Sequence, residues 1–413
     1  MGFTRRQLVN AALVANAIRP LPGYRGGAAG FFPGWLTSEL APHVLAGIAV
    51  DTAVQVGRGR ASRTGLGLAA VSALGLGYLI RQSTGAGALV TTALEDSLTS
   101  GFDVDVPPTD LVGATSWRRL LNPFRFAAEG RRAGVEVHKN LPYAPYGRRG
   151  LLDVYTSDVT PSSGAPVLLQ IHGGGWTIGN KDQQGIPLMQ HLAAKGWVCV
   201  APNYRLSPRN DWPAHVVDVK AAIAWVKEHI AEYGGDPDYI AITGGSAGGH
   251  LTALAALTPN DPAFQPGFES ADTTVQAAVP HYGVYDFAGS TGLRSAVIMR
   301  DSFIAPKVLK QRYADAPEVF AAASPLLRIT EDAPDFLVIH GSNDTLVDVR
   351  QARAFVDKLK RVSRRSVTYV ELPGTQHAFD VFPSIRSQAI VRAIDRYLSW
   401  HHATWAKERS TAS

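Results

Sequence analysis

Three stretches of this 413-residue chain bear side chains able to do covalent chemistry if they meet: GGSAGG (244–249), HGSND (340–344) and GTQHAF (374–379). A serine hydroxyl is a weak nucleophile until a base takes its proton, and the base needs an acidic partner to fix its tautomer. Ser246 is the centre of a Gly-x-Ser-x-Gly turn, with the apolar run YIAIT before it and SAGGHLTALAAL after it. Strand, tight turn and helix in that order strain the serine and lift its hydroxyl out of a sheet, while the flanking glycines remove clashes. Asp344 follows DFLVIHG and His377 follows SVTYVELPG. Ser246, Asp344, His377 is therefore the order of nucleophile, acid and base along the chain, as that architecture uses it. Asp348 is a rival acid, but it stands at the start of an expected helix. His250, His281 and His340 are rival bases, each inside or beside an apolar element and read more simply as a core or capping histidine.

A fourth stretch, HGGGW (172–176), ends the apolar run PVLLQI. Serine attack on a carbonyl builds an oxyanion, which preorganised N–H donors must meet. Gly173, Gly174 and Gly175 offer a bare backbone that can approach closely, and the amide of Ala247, next to the serine, adds a further donor. A phosphate-binding turn is the other use of three glycines, but no Gly-x-x-x-x-Gly-Lys-Ser/Thr run or dinucleotide fingerprint follows. Trp176 is open to two readings, a pocket wall or plain packing. Tyr204 and Arg205 in NYRLSP either border the site or tie down its loop. Asp218 and Trp225 lie seven apart on one expected helix and share a structural face.

These residues need a scaffold, and the chain from about 134 supplies one. GVEVHKN and LLDVYT read as an antiparallel pair joined through LPYAPYGRRG. PVLLQIH, WVCVAPNY, YIAITG, VQAAVPHYG, DFLVIHG and SVTYVELP read as strands. PLMQHLAAKG, WPAHVVDVKAAIAWVKEHIAEYG, the helix after Ser246, VRQARAFVDKLKRV and SIRSQAIVRAIDRYLSWHHA read as helices. Such alternation predicts an α/β fold with a mostly parallel, doubly wound sheet, whose functional groups gather at the carboxyl ends of its strands. Residues 284–333 break the rhythm and read as a mostly helical cap insertion.

The N-terminal third differs. RRQLVNAALVANAIRP reads as a short amphipathic helix; a twin-arginine export signal is the weaker reading, because Asn10 and Asn16 interrupt a short apolar region. LAPHVLAGIAVDTAVQVG (40–57) and TGLGLAAVSALGLGYLI (64–80) flank the basic RGRASR. Residues 36–81 are read either as a membrane-associated hairpin or as a Gly/Ala-rich hairpin buried against the main domain. Residues 82–132 read as an irregular linker with some helix. The expected division is a helical extension over 1–132 and a catalytic domain over 133–405.

Composition narrows the function classes. Hydrophobic residues make up 46% and charged residues 18%, which fits a large core and excludes a disordered chain. Residues 1–150 hold 16 Lys and Arg against 9 Asp and Glu, whereas 151–413 hold 24 against 26. The basic excess suits an anionic membrane surface; nucleic acid is set aside for want of a dense basic patch with interleaved aromatics. Cys199 is the sole cysteine, read as a core thiol, so an internal disulfide and a Cys-rich metal site are excluded. The location expected is membrane-associated or cytoplasmic.

Taken together, HGGGW, GGSAGG, HGSNDTLVD and GTQHAF resemble the α/β-hydrolase superfamily, in its hormone-sensitive-lipase-like carboxylesterase branch. YGRRGLLDVY, NYRLSP and EYGGDPDYIAITGGSAGGH are similar to esterases that include isoprenylcysteine methylesterases and kynurenine formamidases, and the apolar extension resembles actinobacterial Lip-type esterases. The resemblance covers roughly 134–402. It implies Ser246 as nucleophile, Asp344 as acid, His377 as base, Gly173 to Gly175 with Ala247 as oxyanion hole, and His172 as organiser of the glycine loop. It also implies no metal or organic cofactor. Asp344 stands in HGSND where many hormone-sensitive-lipase relatives carry a DPLxD-like segment. The leading expectation is hydrolysis of a carboxylic ester, short-to-medium acyl by default, through an acyl-enzyme. An amidase, arylformamidase or peptidase with the same triad is the first alternative. A catalytically silent membrane-associated binding protein is the second.

Overall fold

The computed structural model describes residues 1–21, 24–98 and 134–412. Eight strands form one sheet: β1 (Val135–Pro142), β2 (Leu151–Ser157), β3 (Ala165–Ile171), β4 (Val198–Pro202), β5 (Gly235–Gly245), β6 (Ala277–His281), β7 (Asp335–Gly341) and β8 (Val367–Leu372). Their order is β1-β2-β4-β3-β5-β6-β7-β8. The β1–β2 and β2–β4 pairings are antiparallel and the rest parallel. This is the mostly parallel α/β sheet that the strand–helix alternation predicts, in the arrangement that the α/β-hydrolase resemblance implies.

Central strands have helices on both faces, and their side chains alternate between two cores. Val167, Leu169 and Ile171 of β3 and Ile240 and Ile242 of β5 enter one core, with Val219, Leu251 and Phe355. Leu168, Tyr239 and Ala241 enter the other, with Met189, Ile390 and Tyr397. After four N-terminal helices, the covering helices are α5 (Ile186–Ala193), α6 (Ala214–His229), α7 (Ala247–Leu257), α8 (Arg294–Met299), α9 (Pro317–Ala322), α10 (Val349–Val362) and α11 (Ile385–Ala412). In α10 the buried Val349, Ala352, Phe355, Val356 and Leu359 form one stripe, and Asp348 caps the helix by accepting from the Arg350 amide. Cys199 is buried, and its thiol is pushed up by desolvation, as for an inert core cysteine.

Half of the stretch 284–333 is helical, less than the sequence suggests: α8 runs into a π-helix (Arg300–Leu309), and α9 follows. Met299, Ile304, Val308 and Phe320 pack into the first core.

The four N-terminal helices are α1 (Phe3–Ile18), α2 (Tyr24–Glu39), α3 (Ala41–Gly57) and α4 (Arg63–Ser97). Two of the readings above gain detail here. The linker expected from residue 82 is helix as far as Ser97, because the spacing of Gly65, Ala69, Ser72, Leu76, Leu79, Ser83, Ala86, Val90 and Leu94 keeps one side of α4 buried throughout. The rest of that linker, 99–132, lies outside the described residues. Within 36–81, α3 and α4 pack on one another, as both readings of the hairpin expect. The first half of α4 shares a small core with α1 and α3 (Val14, Ala17, Ile48, Leu76), whereas Ala86, Val90 and Leu94 join the core beneath the sheet. Asp51, the charge inside the apolar α3, is held by Arg6 at 2.7 Å and by Gln7 at 2.9 Å.

Candidate active site

The candidate residues gather at the carboxyl end of the sheet. β5 runs into α7 through Ser246, whose φ of 60° and ψ of −120° place a non-glycine residue in a strained region. The amide of Ser246 donates to the carbonyl of His281 at 3.0 Å, which fixes the turn to β6. Ser246 is half-buried, and among the described residues its hydroxyl makes no hydrogen bond, including to His377. Gly245, which precedes it, has a specific reason to be glycine: a Cβ there would lie 2.5 Å from the Tyr282 hydroxyl.

The glycine loop lies beside this turn. A Cβ on Gly173 would stand 2.7 Å from the Gly245 carbonyl and 3.3 Å from the Ser246 Cβ, so only a bare backbone fits. The three glycines are not equivalent. The Gly173 amide donates to Gln184 Oε1 at 2.8 Å and is already engaged. The amides of Gly174 and Gly175, and that of Ala247 at the start of α7, remain as the donors a nearby oxyanion could use. His172 Nδ1 lies 2.8 Å from the Gly173 carbonyl, and its ring stacks on Tyr204, whose hydroxyl donates to the His172 carbonyl at 3.0 Å. Burial pushes the His172 pKa down to about 4, so the ring is neutral. Trp176 donates to His250 Nδ1 at 3.2 Å and meets Phe287 edge-on. Phe303 of the π-helix lies 3.3 Å from where a Gly175 Cβ would be.

His377 and Asp344 meet as the sequence predicts. His377 Nδ1 lies 2.6 Å from Asp344 Oδ2, and both are buried. Asp344 Oδ1 accepts the amides of Leu346 and Val347 at 2.9 and 2.8 Å. Burial opposes the charge, but His377 and His340 outweigh it and hold the carboxyl well below its ordinary range. Asp348 does not compete: its carboxylate is occupied by Ser295 and Arg350.

The rival histidines have other partners. His340 Nε2 stands 3.1 Å from Asp344 Oδ2 and 3.0 Å from the Val347 carbonyl, so the acid is shared by two imidazoles. His250 bonds the Ala323 carbonyl at 2.8 Å and stacks on Phe287; burial takes its pKa down to about 3. His281 Nδ1 lies 2.5 Å from Asp380, which also accepts from the Tyr282 hydroxyl. The Tyr282 ring in turn lies 4.5 Å from the His377 ring. Arg205 pairs with Asp218 through its side chain at 2.6 Å and its amide at 2.7 Å, so NYRLSP ties a loop to α6.

Sequence reasoning missed two groups. Asp380 lies three residues past His377, close enough for the sequence to have raised it. Phe31 and Trp35 of α2 had no such signal. Phe31 meets the His377 ring edge-on at 6.0 Å, and Trp35 Nε1 donates to the Ala378 carbonyl at 2.8 Å, across 343 residues of sequence.

Together, these groups can activate a hydroxyl, hold a proton on an imidazole and meet an oxyanion with amides. A BD-FAE family model matches residues 152–359. The probable carboxylic ester hydrolase LipM of Mycobacterium tuberculosis is 47% identical over 410 residues, covering 96% of this chain and 92% of the relative. Esterase LipQ of the same organism is 42% identical over 374 residues, covering 90% and 84%. Among solved structures, the propionate-bound esterase Est2 of Thermogutta terrifontis superposes with a TM-score of 0.53 at 26% identity, over 64% of this chain and 94% of that one.

Proposed function

Because the chain belongs to the BD-FAE family and is a carboxylic ester hydrolase, we propose that it works through a Ser246–His377–Asp344 triad and an acyl-enzyme. The observation that carries this reading is the strained Ser246 beside a side-chain-free glycine loop, with the His377–Asp344 pair on the loops after β8 and β7.

In this mechanism Asp344 keeps the His377 proton on Nδ1, leaving Nε2 as an acceptor. Ser246 Oγ attacks the ester carbonyl carbon and its proton passes to Nε2. The carbonyl oxygen takes the negative charge and is met by the amides of Gly174, Gly175 and Ala247, at the positive end of α7. Gly173, bonded to Gln184, shapes the loop rather than donating. Collapse of the intermediate breaks the ester C–O bond, and Nε2 gives its proton to the leaving alcohol. Water, deprotonated by the same Nε2, then attacks the acyl carbon; the acyl–Oγ bond breaks, Ser246 Oγ takes the proton back from Nε2, and the carboxylic acid leaves.

The apolar face of α3 and α4 bears on the substrate. Val50, Val54, Val71, Leu74 and Tyr78 are all exposed, Leu74 at 77%, and only 28% of the most apolar stretch of α4 is buried. Arg58, Arg60 and Arg63 stand at the end of this face. We propose that it rests on an anionic lipid surface, from which apolar esters reach the site. The other half of α4 packs on the sheet, which favours a surface position over a span.

Turnover of p-nitrophenyl esters, acetate through palmitate, by wild type and Ser246→Ala tests the chemistry, with fluorophosphonate labelling of Ser246 as the covalent readout. Activity that survives in Ser246→Ala overturns the triad. Flotation of the full chain with phosphatidylglycerol vesicles, but not with phosphatidylcholine vesicles, is expected; flotation with neither overturns the surface assignment.

A further inference from the structure

The loops that carry the proposed acid and base are held from outside by the N-terminal helices. Asn343, next to Asp344, donates through Nδ2 to the Ile18 carbonyl at 2.9 Å, and Thr345, on its other side, donates to the Gly27 carbonyl at 3.0 Å. Gln376, next to His377, accepts the Thr345 and His377 amides at 2.9 Å each, which links the two loops. Ala378, on the other side of His377, is a non-glycine residue at a φ of 59°. Its carbonyl takes the Trp35 indole N–H. That backbone region is sterically unfavourable for a side-chain-bearing residue and persists only where the surroundings over-determine it.

The helix supplying that restraint is itself fixed. Trp35 stacks on Phe31 at 5.8 Å with planes 13° apart and packs on Phe382 at 5.4 Å. Glu39, at the end of α2, forms a buried ion pair with Arg386 and accepts from the Ser384 hydroxyl at 2.6 Å. From inside the fold, Asp380 anchors the same loop through His281 and Tyr282. The strained turn after His377 therefore has an inner restraint from β6 and an outer one from α2.

We propose that Trp35 is a positioning residue for the catalytic base: its N–H pins the Ala378 carbonyl and thereby sets where the His377 imidazole stands relative to Ser246. The proposal rests on the reading of His377 as base. A general base works only at hydrogen-bond reach, and a displacement of about 1 Å costs up to about a hundredfold in rate. A residue that only contributes stability has no such selective effect on turnover.

Trp35→Phe keeps the ring stack and removes the N–H. In the full chain, kcat for p-nitrophenyl butyrate is expected to fall about tenfold to a hundredfold, with KM unchanged and the melting temperature within about 4 °C of wild type. The selective readout is the double variant. Residues that act as a unit are non-additive, so in a His377→Ala background Trp35→Phe should leave the residual burst of p-nitrophenol unchanged. An unaltered kcat in Trp35→Phe overturns the proposal. So does an equal loss in the His377→Ala background, which would mark a general structural effect. Replacement of Trp35 by β-(3-benzothienyl)alanine, an indole isostere with sulfur in place of the N–H, poses the same question if the phenylalanine variant does not fold. Failure of the underlying reading shows separately, as turnover that survives in Ser246→Ala.

Discussion

Acid should inactivate this enzyme through three buried histidines around the glycine loop, none of which is the proposed base. His172 opens the loop, His250 accepts from Trp176, and His215 bonds Ser207, whose amide donates to the Trp176 carbonyl. Burial is the main cause of the shift in each, taking His172 and His215 down to about 4 and His250 down to about 3. In the unfolded chain each titrates near 6.5. Between these limits the unfolded state binds more protons than the native state, so stability is fully present above about pH 6.5 and is lost as pH falls toward 4. At pH 5 each ring forgoes protonation worth about 1.5 pH units, about 2 kcal/mol, and the three together about 6 kcal/mol. That is a large share of the 5–15 kcal/mol typical of a folded domain. Thermal melts at constant ionic strength should therefore drop on the order of 10 °C between pH 7 and pH 5, with little change between pH 7 and pH 8. His250→Gln, which cannot titrate, should remove about a third of that slope whatever it does to the melt at pH 7. A melting temperature level from pH 7 to pH 5 would refute the reasoning.

Three further outcomes are expected. Asp344→Asn should lower kcat by about 10⁴ with the fold kept, because an amide facing Nδ1 selects the wrong tautomer; a loss under tenfold on p-nitrophenyl esters would remove Asp344 from the triad. Glu39→Gln should cost about 3–5 kcal/mol in chemical unfolding, since it strands Arg386, whose pKa burial already takes down to about 10; an unchanged unfolding midpoint would contradict this. Gly245→Ala should cut turnover and cost about 1–3 kcal/mol, with partial rescue of the stability loss by Tyr282→Ala, which removes both the hydroxyl and the ring carbons that the new methyl meets at 2.5–2.7 Å; equal losses in both backgrounds would disprove the contact.

The sequence was legible where chemistry and local structure coincide. Ser246, Asp344 and His377 each follow an apolar strand, and a period-two or period-3.6 pattern needs only neighbouring residues to be read. Long-range placement left no such trace. His340 looked like a core histidine, and it is one; that its Nε2 also meets Asp344 depends on how the loop after β7 turns back. The engagement of Gly173 by Gln184 depends on a side chain eleven residues away in an irregular loop. Residues 36–81 were ambiguous because the same Gly/Ala-rich composition suits a lipid surface and close helix packing, and the structure shows α4 with one buried side and one exposed apolar side. Trp35 lay furthest out of reach, since its partner is 343 residues away.

That separation has a consequence for how the protein is made. The N-terminal helices leave the ribosome long before the residues that receive them (Asn343, Thr345, Ala378, Ser384 and Arg386). At 5–20 residues per second, α2 waits about 15–70 s for its seat. Throughout that interval α1, α3 and the first half of α4 have only one another, and the half of α4 that joins the core beneath the sheet lacks the later strands and the final helix that complete it. A membrane surface or a chaperone that shelters them early would act on the yield of the enzyme before any ester is cleaved.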